Sequence, residues 1–168
     1  LLGIMTALFR EALLPDRVLF NNDGPLGAAV REAASLPEGF SGVWSDLNWM
    51  GWDQPAPPPD VTMTALWLMG PLLFAKIWSP LSLVILGLCA WFFFRELKFA
   101  PIACILGGLA AALNADPVGN ACWGQVSRPL TASASFLALA AMQGSSGYRL
   151  WIKTALAGMA VGWGVMEG

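Results

Sequence analysis

The chain has 168 residues, of which 57% are hydrophobic and only 12% charged, with a mean hydropathy of +0.61, whereas soluble domains carry roughly 25% charged residues. This balance argues against a water-soluble fold, and a net charge of -2 with dispersed basic residues lacks the electrostatic footprint of a nucleic-acid binder. Histidine is absent, which removes Ser-His-Asp and Cys-His nucleophiles and every His-containing metal site, and Cys89, Cys104 and Cys122 have neither metal-ligand spacing nor a disulfide framework. Any catalysis rests on carboxylates.

In chain order, residues 1–14 are apolar apart from Arg10 and Glu11 and read as the end of a membrane helix or as a short amphipathic helix. Residues 15–60 form an aqueous loop that holds Asp16, Asp23, Glu32, Glu38, Asp46, Asp53 and Asp60 against Arg17 and Arg31. Within it, 26–34 has the composition of a short helix. Trp44, Trp49 and Trp52 suit the headgroup layer, and Pro55-Ala56-Pro57-Pro58-Pro59 closes the loop as a stiff spacer.

Residues 61–94 are apolar except for Lys76, a stretch longer than the roughly 20 residues one span needs. The expected division is an interfacial or re-entrant helix at 62–75, Lys76 at its watery end, and a span at 77–94. Further spans are expected at about 99–113, 129–143 and 150–166, with a polar loop at 114–128. The two runs at 99–113 and 129–142 are short and need tilt limits or local thinning to fit.

Arg95, Lys98, Arg149 and Lys153 fall in two short turns, which the positive-inside rule places in the cytoplasm. The acidic loop 15–60, the loop 114–128 and Glu167 then share the outer face. Gly107, Gly108, Ala111 and Ala112, and further on Gly158 and Gly162, have the small-x-x-x-small spacing of closely packed membrane helices. The expected fold is all-α, a polytopic transmembrane helix bundle whose extracytoplasmic loop bears short juxtamembrane helices. A start at Leu1 and a stop at Gly168 behind an apolar run lead us to expect a longer polypeptide.

Four clusters could carry chemistry on that outer face. In Phe20-Asn21-Asn22-Asp23-Gly24-Pro25-Leu26-Gly27, Asp23 has the chemistry of a general base, a hard metal ligand or an orienter of a hydroxyl nucleophile, with Asn22 beside it. The same residues also make an ordinary turn and helix cap. Trp44 to Asp53 surrounds Asp46 and Asn48 with aromatic faces, as a sugar site does and as an interfacial anchor does. Asn114 to Arg128 holds Asp116 and an Arg128 fork suited to phosphate, or it is a connecting loop with a snorkelling arginine. Glu167 is a carboxylate at a span end.

The run 18–27, the segment 46–51, the stretch 110–128 with its Asn114 and Asn120-Ala121-Cys122-Trp123-Gly124 core, and the closing 157–168 resemble bacterial polytopic membrane proteins of the YfhO-like type, which resemble the GT-C glycosyltransferase superfamily. The resemblance covers most of the chain. It implies a multi-span enzyme of the bacterial inner membrane with Asp23 as its catalytic aspartate and a polyprenyl-phosphate-linked sugar as donor. Asn22, Asp46, Asn48, Asp116, Arg128 and Glu167 would serve substrate binding, and Arg128 would stabilise the departing phosphate. Asp23 stands in Asn-Asp, not in an Asp-x-Asp or Glu-x-Asp pair, so the cofactor is left open between a divalent metal and none. The expected partners are the lipid bilayer and the lipid-linked sugar. The alternative is a non-catalytic transport or scaffold component. A transporter places ionisable groups near the middle of its spans, and the runs 77–94, 99–113, 129–142 and 154–166 contain none.

Overall fold

A computed structural model describes residues 1–19, 21–22, 25–41, 60–143 and 149–167, and every regular element among them is helical. The helices are α1 (Leu2–Leu8), α2 (Leu26–Ala34), α3 (Val61–Glu96), α4 (Pro101–Leu113), α5 (Ala115–Trp123), α6 (Ser127–Met142) and α7 (Arg149–Glu167), with a 3₁₀ turn at Glu38–Phe40. Among the described residues, α3 alone is long and apolar enough to cross a membrane. The all-α class is observed at that level.

Helix α3 is broken at Gly70, whose φ of 73° and ψ of 161° lie outside the helical region. Only glycine takes that conformation readily, and Pro71 both disfavours a helical residue before it and is pre-set to begin a helix after it. The break therefore falls at Gly70 and not beside Lys76, so the helix expected at 62–75 ends early. The two arms fold back on one another. Trp78 Nε1 donates to Thr62 Oγ1 at 3.4 Å across 16 residues, whereas a straight helix would separate them by about 24 Å. The arm 71–96 is about 39 Å long at 1.5 Å per residue, enough for a hydrocarbon core of about 30 Å. Lys76 Nζ donates to the carbonyls of Leu14 and Pro15, so the one charge inside the apolar run ties down the chain after α1.

Helices α2, α4 and α6 pack on α3, and α7 packs on α6. Met5 and Phe9 close one core cluster with Leu83, Val84, Ala112 and Ala121, while Ala65, Trp78, Val126 and Leu130 form a second. Where α3 meets α4 the backbones nearly touch: a Cβ on Gly108 would lie 2.6 Å from the Gly87 carbonyl oxygen. The small-residue spacing at 107–112 is thus used within the chain. Gly158 and Gly162 have nothing within 4 Å of a would-be Cβ. Buried Ser82 and Ser133 bond back to the carbonyls of Ser79 and Pro129, both at 2.7 Å, and so satisfy their hydroxyls inside their own helices.

The stretch 114–128, expected as a loop, is largely helix α5. Asn114 Oδ1 accepts from Asp116 N–H at 3.0 Å, Pro117 sits in the first turn where its missing N–H costs nothing, and Gly124 ends the helix at φ 87°. Helices α4 and α5 meet at a 42° bend. Residues 1–14 hold a helix only over Leu2–Leu8, followed by turns.

Candidate functional site

A polar cavity of about 250 Å³ opens at the N-terminal end of α3. Its walls come from three separate parts of the chain: Asn21, Glu32 and Asp60 from the acidic loop, Gly124, Val126 and Ser127 from the α5–α6 junction, and Glu167 from the end of α7. Thr62, Leu66, Phe74, Trp78 and Ser79 of the folded-back α3 complete it. Residues from the stretches 15–60 and 114–128 and Glu167 meet in this one space.

The first turn of α3 has backbone N–H groups with no partner inside the helix, and two carboxylates supply acceptors for them. Asp60 caps it locally, Oδ1 accepting from Met63 N–H at 2.5 Å. Glu167 arrives from more than a hundred residues away: Oε1 accepts from Val61 N–H at 2.8 Å, Thr62 N–H at 3.2 Å and Trp163 Nε1–H at 3.1 Å, and Oε2 accepts from the Thr62 hydroxyl at 2.6 Å. The Thr62 hydroxyl in turn accepts from Trp78 Nε1–H, so a continuous chain of bonds runs from Trp78 through Thr62 to Glu167. It fixes both arms of α3 against α7.

Burial pushes the Asp60 carboxyl above its ordinary value; the Met63 N–H opposes this and the Glu167 charge adds to it. Glu32 is also raised, first by burial, with the neighbouring Arg31 opposing and Asp60 reinforcing. These acids are close enough to repel one another. Among the described residues no group of three acids or cysteines is arranged to hold a metal ion.

Asn21 is 7% exposed and its Oδ1 has no hydrogen-bond partner. A buried amide oxygen without a partner costs about 1–3 kcal/mol, and this one belongs to a residue in the cavity wall.

Of the residues proposed from sequence, Glu167 lies in this cavity. Asn22 is exposed beside Asn21. Asp116 and Arg128 are exposed and are not among the walls: Asp116 sits in the first turn of α5, and Arg128 starts α6 next to Ser127. Asp23, Asp46 and Asn48 lie outside the described residues. Sequence reasoning passed over Asn21, Glu32, Asp60 and Thr62 as site residues. One signal for Glu32 was available, since Ala28, Ala29 and Glu32 fall on one face of the helix at 26–34. No local pattern marks Asn21.

Fold and site together define a chain whose described residues form only helices, one of them long and apolar enough to cross a membrane, with an acid-lined cavity at that helix's N-terminal end. Comparison with protein-family models, with curated proteins and with solved structures finds no match to this chain.

Proposed function

We propose that this chain is a membrane-embedded glycosyltransferase-like protein that transfers a sugar from a polyprenyl-phosphate donor at the extracytoplasmic face of the bacterial inner membrane. The observation that carries the reading is the make-up of the cavity. Carboxylates, an amide and the hydroxyls of Thr62, Ser79 and Ser127 converge on a space that also has aromatic and apolar walls in Phe74, Trp78 and Leu66, a combination suited to a ring with one apolar face and a rim of hydroxyls. The sequence resemblance points the same way and gives Asp23, two residues along the chain from Asn21, the role of base toward an acceptor hydroxyl. Arg128, exposed at the start of α6, would meet the departing phosphate.

In this reading the protein crosses the membrane several times: the arm 71–96 is one span, α4 with α5 a broken second, and α6 and α7 the others. Apolar side chains that face outward, such as Trp151, Met159 and Val165 on α7, suit a hydrocarbon surround. Lys76, held by loop carbonyls, does not mark a conduction path, which favours the enzyme over a transporter.

The test is transfer of labelled sugar from a polyprenyl-phosphate donor by the protein in its native membrane, comparing wild type with Asp23→Asn at equal expression. Loss of transfer in the variant is the expected result. Absence of transfer by the wild type across a panel of donors overturns the enzyme reading in favour of a non-catalytic component.

A further inference from the structure

We infer that the sugar this cavity takes is an amino sugar, held through its protonated amine by Glu32, Asp60 and the amide oxygen of Asn21; the inference rests on the sugar-binding reading of the same cavity. It follows from counting donors and acceptors in the walls. Glu167 is largely committed, since it accepts four hydrogen bonds from the protein, three at Oε1 and one at Oε2. The Thr62 hydroxyl is also used, donating to Glu167 and accepting from Trp78. Beside the hydroxyls of Ser79 and Ser127, what faces a ligand is acceptor capacity: the Glu32 carboxylate, Oδ2 of Asp60, whose Oδ1 is taken by Met63 N–H, and Oδ1 of Asn21, which has no hydrogen-bond partner.

The charge balance agrees. Three carboxylates line the cavity and, among the described residues, no lysine or arginine does. Arg31 adjoins Glu32 in sequence, yet it is exposed and is not a wall residue. A phosphate would meet repulsion on every side, so the lipid phosphate of a donor must lie outside this space. A neutral hydroxyl satisfies one acceptor at a time and leaves the charges uncompensated. A primary ammonium brings three N–H donors and a positive charge to three open acceptors, and its hydrogen bonds to carboxylates are of the stronger, charge-assisted kind.

The same amine chemistry occurs on ethanolamine lipid headgroups, so the experiment separates the two sources. The full chain in nanodiscs of phosphatidylcholine and phosphatidylglycerol is titrated calorimetrically with glucosamine, glucose, N-acetylglucosamine and ethanolamine. We expect glucosamine to bind at least about tenfold more tightly than glucose or N-acetylglucosamine, the scale of one charge-assisted contact, and ethanolamine to bind more weakly than glucosamine. Glu32→Gln should reduce the preference over glucose to threefold or less. Asn21→Leu should do the same if Glu32→Gln proves unstable. Equal affinity for glucose and glucosamine overturns the inference and leaves the sugar reading standing. Ethanolamine binding as tightly as glucosamine overturns the amino sugar and the sugar reading together. No binding of any of the four overturns both as well.

Discussion

Replacing Asn21 with leucine should make the protein more stable and less able to bind its ligand, a combination that a purely structural residue does not give. The native side chain is 7% exposed with an unpartnered Oδ1, so the folded state carries a desolvation cost of about 1–3 kcal/mol that leucine lacks. Leucine is bulkier, but the adjoining cavity of about 250 Å³ has room for the extra carbon without overpacking. A recovery of about 1 kcal/mol corresponds to a rise in Tm of about 2–4 °C for a domain of this size. Thermal unfolding in micelles followed by intrinsic tryptophan fluorescence reads the stability, and glucosamine titration reads the binding. Stability traded against function in this way is the mark of a group kept for a ligand. A Tm lower than wild type, or binding unchanged within twofold, would refute the reasoning, since either result means that Oδ1 is satisfied within the fold.

Glu167→Ala leaves four donors without their acceptor at a site 7% exposed and should cost about 3 kcal/mol, read as a Tm loss well beyond that of an exposed control, Glu38→Ala. Gly108→Ala forces a Cβ to within 2.6 Å of the Gly87 carbonyl oxygen and should destabilise by about 1–3 kcal/mol. Gly158→Ala meets nothing and should gain up to about 1 kcal/mol of helix propensity; equal effects from the two would refute the α3–α4 contact. Gly70→Ala meets no neighbour either, so its cost of about 1–3 kcal/mol is backbone strain alone, and it should weaken ligand binding by shifting Thr62 away from Glu167. Folding raises the carboxyls of Glu32 and Asp60 above their ordinary values of 4.5 and 3.8, so their contribution to stability is full below those values and is lost as pH rises through the raised ones. Tm should therefore fall as pH is raised from about 4 to about 7, less steeply in Glu32→Gln. Amine binding should change in the opposite sense, weakening on acidification as the carboxylates are neutralised.

The helical class and the position of most helices were legible because lipid-like composition leaves few alternatives: an apolar run with small residues and no strand alternation can satisfy its backbone only as helix. The basic residues in the stretches 95–98 and 144–153 lead to the expectation that 15–60, 114–128 and Glu167 share one side, and residues from all three do line one cavity. Fine placement was not. Lys76 looks like a boundary because charge usually ends an apolar helix, yet its long side chain reaches the Leu14 and Pro15 carbonyls and lets the helix continue. The actual break needed a residue free to take φ 73°, and Gly70 before Pro71 provides it. The stretch 114–128 reads as a loop by its Asn, Asp, Pro and Gly content, but Asn114 stands at the cap, Asp116 and Pro117 in the first turn and Gly124 just past the end of a short helix, which carries Gly119 and Asn120 in its interior.

The site shows the same division more sharply. Glu167 could be singled out as a carboxylate at a span end, but its partners, Val61 and Thr62, are more than a hundred residues away, and nothing in local sequence pairs them. Asn21 stands beside residues that were singled out and is itself the least conspicuous member of the motif. Its importance arises from burial without a partner, a property of the assembled fold. A turn asparagine at the surface costs nothing, whereas the same side chain buried in the cavity wall with an idle acceptor is a stability deficit that a donor bound in the cavity offsets. This is why the cavity, and not the more conspicuous Asp116 or Arg128, is where binding experiments on this protein should begin.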